Sequence, residues 1–297
     1  MSIAEDNKAA QTLLNKRALK SEEYRERFML FGLSMPSLLA ILIVVFLPIL
    51  WLSSLSFYNT AGALSMENYV RIFESDLYRR TFVVTFQISI SVTVICVLLG
   101  YPLCYWLSKM TDRKAAILMV FVLVPFWTSV LVRTYAWLVL LQRNGIINST
   151  LMSLDVIEEP LQLAHNLTGS IIGMVHIMLP FLVLPLYAAM QRIDRNTLQA
   201  AANLGATPVQ TFWQVFVPLS LPGVVAGSLI VFVLCLGFYV TPAVLGGGKV
   251  IMVSMQITAI LEDQFNWGAA SALGVVLLVA TFAVLLLASR FLKLDSV

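Results

Sequence analysis

No aspartate or glutamate falls inside any long apolar run of this 297-residue chain; all sixteen lie in tails or connecting segments. Ion-coupled carriers commonly place acidic relays in their helices and are built from broken repeats. Neither feature is visible, which argues against an ion-coupled secondary transporter, the main alternative class. Only two histidines are present, His165 and His176, so there is no cluster for metal chemistry. Cys96, Cys104 and Cys235 sit in apolar runs without metal-ligand spacing and read as small packing residues, not a disulfide framework. Charged residues make up 12% of the chain, against about 25% in a soluble domain. A net charge of +3 carries no nucleic-acid signal. A phosphate-cradling loop is missing too. The nearest stretch, Gly246-Gly247-Gly248-Lys249-Val250, has valine where a hydroxyl is needed and Ala243 where the first glycine belongs. Nothing resembles a nucleophile elbow, a zinc-protease motif or paired catalytic carboxylates. No catalytic activity and no cofactor are therefore expected on this chain.

What the chain has is apolar length. Hydrophobic residues make up 59% and the mean hydropathy is +0.88. A helix needs about 20 apolar residues to cross a bilayer. Six runs qualify: Phe28–Leu55, Phe82–Leu107, Ala115–Leu141, Ser170–Ala189, Pro222–Val240 and Ala269–Leu292. They are continuously apolar, without the period-two alternation of barrel strands, so the expected fold is all-α and integral to the membrane. The first run is too long for a signal-peptide core and lacks a small-residue cleavage site, so it is expected to stay as an anchor. Residues 1–27 read as a mobile tail or surface helix, 56–80 as an outer loop, 81–292 as the transmembrane core and 293–297 as a short tail.

Lysine and arginine placement sets the expected orientation. With the N-terminus inside, thirteen of these residues face the cytoplasm and five face outward, and the short loop around Lys109, Arg113 and Lys114 is the clearest vote. Both termini are then cytoplasmic. The remaining cation, Arg133, falls within a span, where a charge is costly unless it faces a cavity, a partner or the interface. It either snorkels or pairs with backbone carbonyls, or it lines a solute path. His176 is either a satisfied packing histidine or a ligand. Aromatic residues at Phe126, Trp127, Tyr135, Trp137, Phe238 and Tyr239 could line the same path or anchor at the lipid interface. With no carboxylate in the spans, Arg133 favours a solute that bears one.

The inner segment 191–221 is the most informative. Asp194 or Asn196 can cap a short Ala-rich helix, and Gly205 suits the left-handed position that ends it. Thr207 followed by Pro208 predicts a second helix start. Val209, Phe212, Trp213 and Phe216 are expected on one face, with Pro218 breaking that helix and Pro222 opening the fifth span. Small side chains at Ala200, Ala201 and Ala202 would let another surface approach closely.

The run Gln199-Ala200-Ala201-Ala202-Asn203-Leu204-Gly205-Ala206, followed by Phe216-Val217-Pro218, resembles the EAA motif of type I ABC importer permeases. Gln199 stands where that family usually has glutamate, which keeps the helix and its docking but not a charge pair there. The stretches YPLCYWLSK, VPFWTSVLVRTYAW and GMVHIMLPFLVLPLY are similar to the spermidine/putrescine group of these permeases, over about residues 28–292. The resemblance implies six transmembrane helices with cytoplasmic coupling helices. It implies a second, different permease subunit and a cytoplasmic ATPase dimer carrying ATP and magnesium, docked through Gln199, Ala200, Ala201, Leu204, Gly205 and Ala206. It also implies a periplasmic solute-binding protein, with membrane lipid around the spans.

Overall fold

The computed structural model describes residues 28–59 and 62–294, with side chains to Arg290. The expected tail 1–27 and the last residues of the expected tail 293–297 lie outside the described residues. Twelve helices follow one another, and no strand is present among the described residues. Helix α1, Phe28–Leu55, forms a unit by itself among the described residues.

The second unit begins at Ser56. Helix α2 (Glu67–Glu74) lies within the segment 56–80, which was expected to be a loop. Helix α3, Asp76–Ser108, starts six residues before the apolar run and extends past its end. Helix α4, Asp112–Leu123, runs into a tight turn at Val124–Trp127, and α5, Val130–Leu141, follows. The short α6 (Ile146–Ser153) follows, and α7, Leu167–Gln191, is the fourth span. Helix α8 (Arg195–Asn203) is the Ala-rich helix, and α9 runs from Pro208 to Leu236. Helices α10 (Val240–Leu245) and α11 (Val253–Asp263) connect the fifth span to α12 (Trp267–Leu294), the last described helix.

Three expectations are corrected. The third apolar run is not one straight helix: its two halves meet at 97°. Pro125 has no N–H to donate, so the ladder tightens into the turn Val124–Trp127 and the chain leaves helical geometry at Thr128. The fifth span does not open at Pro222 or reach Val240. It begins at Pro208, ends at Leu236, and passes through both Pro218 and Pro222. A wide turn at Phe212–Phe216, in which the Val217 N–H bonds to the Phe212 carbonyl, makes this possible. Widening the turn draws the backbone away from the proline ring that would otherwise crowd it. The same extra residue per turn splits the anticipated apolar face. Phe216 is buried and Phe212 half-buried, while Val209 and Trp213 are exposed.

Helix α7 packs against both α3 and α9, and the largest buried cluster lies along these three. Helices α3 and α7 meet through small residues at four-residue spacing. Cys96 donates its S–H to the Val175 carbonyl at 3.7 Å, and Cys104 to the Val183 carbonyl at 3.6 Å. Gly100 lies between them, where an added Cβ would come within 2.6 Å of Leu182 Cδ2. Close approach through small residues is how membrane helices gain packing without a hydrophobic driving force. The cysteines are therefore buried packing residues, as their apolar settings suggest. Thr81, Thr85 and Ser89 return their hydroxyls to the carbonyl four residues earlier. Thr85 Oγ1 also accepts the Val253 N–H at 2.9 Å, which satisfies a buried donor at the start of α11.

Candidate functional site: a docking loop and an intramembrane arginine

The α8–α9 loop is built by local rules. Asp194 caps α8 by accepting the Asn196 N–H at 2.9 Å. At the other end Gly205 has φ +86°. The Gly205 N–H bonds to the Ala202 carbonyl and the Ala206 N–H to the Ala201 carbonyl, the paired bonds of a Schellman turn. Two residues later Thr207 and Gln210 form a reciprocal capping box, with Pro208 at the first helical position. Every residue from Asp194 to Gln210 is thereby held by a capped helix or a closed turn.

The loop presents two faces. Leu198 and Ala202, one turn apart, line a cavity of about 310 Å³ with Tyr105, Lys109, Phe212 and Phe216. The Lys109 ammonium lies 5.3 Å from the ring centroids of both Tyr105 and Phe216, within reach of a cation–π attraction. On the outward face Gln199, Ala200 and Gly205 are exposed, Ala201 and Ala206 are half-buried, and Leu204 is 89% exposed. The seat of Lys109 was not anticipated from the sequence, because Phe216 lies over a hundred positions from it in the chain, although Tyr105 stands one helical turn before it.

The second constellation lies beyond the 97° bend. Arg133 sits in the first turns of α5, its N–H bonded to the Ser129 carbonyl. The residue is 8% exposed. Its Nε and Nη1 are buried without a hydrogen-bond partner among the described residues. One turn on, the Trp137 Nε1–H donates to His176 Nδ1 at 3.0 Å, so His176 is a satisfied packing residue at that nitrogen. Thr134 and Thr241, both fully buried, share a hydroxyl–hydroxyl bond of 3.0 Å between α5 and α10. The other candidate path residues are more dispersed. Phe126 packs edge-to-face on Phe181 with centroids 5.4 Å apart, whereas Trp127, Tyr135 and Tyr239 remain exposed. No group of three or more potential metal ligands occurs among the described residues.

Residues 20–293 match the family described as binding-protein-dependent transport system inner membrane component. The spermidine/putrescine transport system permease protein PotB of Haemophilus influenzae is 34% identical over 244 residues, covering 80% of this chain and 85% of that protein. Its Escherichia coli K12 counterpart is 31% identical over 262 residues, covering 85% and 95%. Among solved structures, a chain of a bacterial alginate ABC transporter, in complex with an alginate-bound periplasmic protein, superposes with a TM-score of 0.72. It is 16% identical and covers 91% of this chain and 95% of that one, a likeness of fold alone. With its apolar helices and its capped α8–α9 loop, the chain belongs to the binding-protein-dependent transport system inner membrane component family, and it is a multi-pass inner-membrane permease subunit of an ABC importer.

Proposed function

We propose that this permease works with a second, different permease chain, a cytoplasmic ATPase dimer and a periplasmic binding protein to import a small aliphatic amine-bearing solute. The capped turn around Leu204 carries this reading. A leucine 89% exposed on a loop closed by a Schellman turn and a capping box is a rigid apolar knob with nothing of its own chain on it. That geometry suits helix-in-groove docking to an ATPase. Closure of the ATPase on ATP would then push α8 as a lever, and α9 would carry the motion into the bundle as a rigid body. This places α8 and both termini in the cytoplasm.

The solute class rests on the two PotB relatives, which are named for spermidine and putrescine transport. The need for a different second permease rests on charge. A path lined by two copies of this chain would offer no carboxylate to an ammonium group, because every acid lies outside the apolar spans. The direct test exploits the native cysteines, all of which are buried. A Leu204→Cys variant should react alone with a short thiol crosslinker and capture the ATPase subunit in membranes. Capture of the periplasmic binding protein instead would reverse the orientation and end the docking reading.

A further inference from the structure

We propose that Arg133, with the free N-terminal turn of α5, receives a carboxylate carried by the imported solute; this rests on the importer reading above. Three observations meet at one place. The third span is broken, so α5 starts inside the apolar run with its peptide dipoles exposed at the bend. Ser129, at its N-cap position, supplies no side-chain bond to the first N–H groups. Helix N-termini attract anions, and discontinuous membrane helices use them to hold anionic substrate groups. Arg133 lies one turn inside that terminus, and helical side chains lean toward the N-terminus. The residue is 8% exposed, and its Nε and Nη1 are buried and unpaired among the described residues.

Among the described residues no group pairs with Nε or Nη1. No aspartate or glutamate lies in the apolar spans, and the neighbouring polar groups are already engaged. Trp137 donates to His176 Nδ1, and Thr134 bonds to Thr241. A buried cation without a partner is costly, so its retention points to a ligand that completes it. The planar fork of Nε and the terminal nitrogens matches a carboxylate with two parallel hydrogen bonds. The amine end follows from the relatives named for spermidine and putrescine transport. The inferred solute is therefore an aliphatic chain with an amine at one end and a carboxylate at the other. It has the dimensions of a diamine with one terminus exchanged.

The test uses the full complex in proteoliposomes, with radiolabelled 5-aminopentanoate and its near-isostere putrescine as probes. Wild type is expected to take up 5-aminopentanoate. Arg133→Gln should lower that uptake roughly 10- to 100-fold at low solute, the loss of a charged bidentate contact. Arg133→Lys should fall between, and its defect should be mainly in KM, since it keeps the charge without the fork. Any putrescine uptake should be spared in both. Should Arg133→Gln fail to insert, the KM shift of Arg133→Lys decides alone. Equal uptake in wild type and both variants would overturn the proposal, as would uptake of putrescine only. Loss of the second permease from purified Arg133→Gln would overturn it as well, since the guanidinium would then be answering a partner's carboxylate. If wild type itself neither binds nor stimulates an ATPase, the importer reading fails first, and the two failures are distinct.

Discussion

The indole of Trp137 donates its Nε1–H to Nδ1 of His176 across 3.0 Å, joining α5 to α7 just beyond the bend in the third span. That bond fixes the neutral tautomer of His176 with its own proton on Nε2. It also holds the turn that follows Arg133. Trp137→Phe removes the donor, keeps much of the ring and strands the acceptor. We expect a loss of about 1 kcal/mol, read as a fall of a few degrees in the melting temperature of the purified complex. His176→Gln, which retains an acceptor, should lose less. A Trp137→Phe protein as heat-stable as wild type would show that the pair does not brace α5.

The α3–α7 seam makes a second prediction. Gly100 admits Leu182 so closely that any Cβ there meets Leu182 Cδ2 at 2.6 Å, and Leu182 is fully buried. Gly100→Val should therefore destabilise the bundle by about 1–3 kcal/mol through overpacking. It should also break the alignment that lets Cys96 and Cys104 reach the carbonyls of Val175 and Val183. Gly274, in α12, has no atom within 4 Å of an added Cβ. Gly274→Ala should be neutral or slightly stabilising, by up to about 1 kcal/mol. Equal detergent-denaturation midpoints for the two variants would contradict the packing assigned to this seam.

The sequence made the loop around Gly205 legible because its rules are local. A cap, a run of alanines, a glycine and a Thr-Pro pair each act within four residues, and Asp194, Gly205 and Thr207 all take the positions their chemistry suggests. Span existence was equally legible, since it depends only on apolar length. The continuation of α9 through Pro218 was not. A proline reads as a break unless a wide turn absorbs it, and that turn is stabilised by packing of Phe212 and Phe216 against Tyr101 and Tyr105 on α3. The bend before Ser129 carried a local signal in Pro125, masked by the unbroken hydropathy around it. The isolation of the Arg133 guanidinium depends on α7 and α10, which no local rule reveals.

Orientation supplies a third prediction. Thirteen lysines and arginines fall on the side assigned to the cytoplasm and five on the other, a bias that sets topology through the segments flanking the spans. A reporter that matures only in the periplasm, fused after Val297, should stay inactive, while the same reporter inserted between α6 and α7 should be active. Activity at Val297 would place α8 outside and remove the basis for ATPase docking.

The last prediction concerns Gly205. Its φ of +86° is one that residues with a Cβ rarely adopt, and an added Cβ would meet no atom within 4 Å. A substitution there is therefore penalised by backbone conformation alone, on the order of 1–2 kcal/mol, and not by a clash with the membrane bundle. The penalty falls on the Schellman turn, whose two bonds tie Gly205 to Ala202 and Ala206 to Ala201. Loss of those bonds frees the end of α8 and with it the direction in which Leu204 points. The bundle should not sense the change, because the buried cluster along α3, α7 and α9 does not include the turn. Gly205→Val should consequently insert and assemble with normal stability, yet show at least a fivefold loss in solute-stimulated ATP hydrolysis and a matching loss of uptake. Gly205→Asn, a residue that tolerates the left-handed region, should recover most of the coupling. Gln199→Glu, exposed and unpaired on the same helix, should leave it unchanged. Reconstituted complexes with the binding protein present give all three readings. Full coupling in Gly205→Val would show that the aim of α8 does not matter to the ATPase, and that the capped turn serves only to connect two helices.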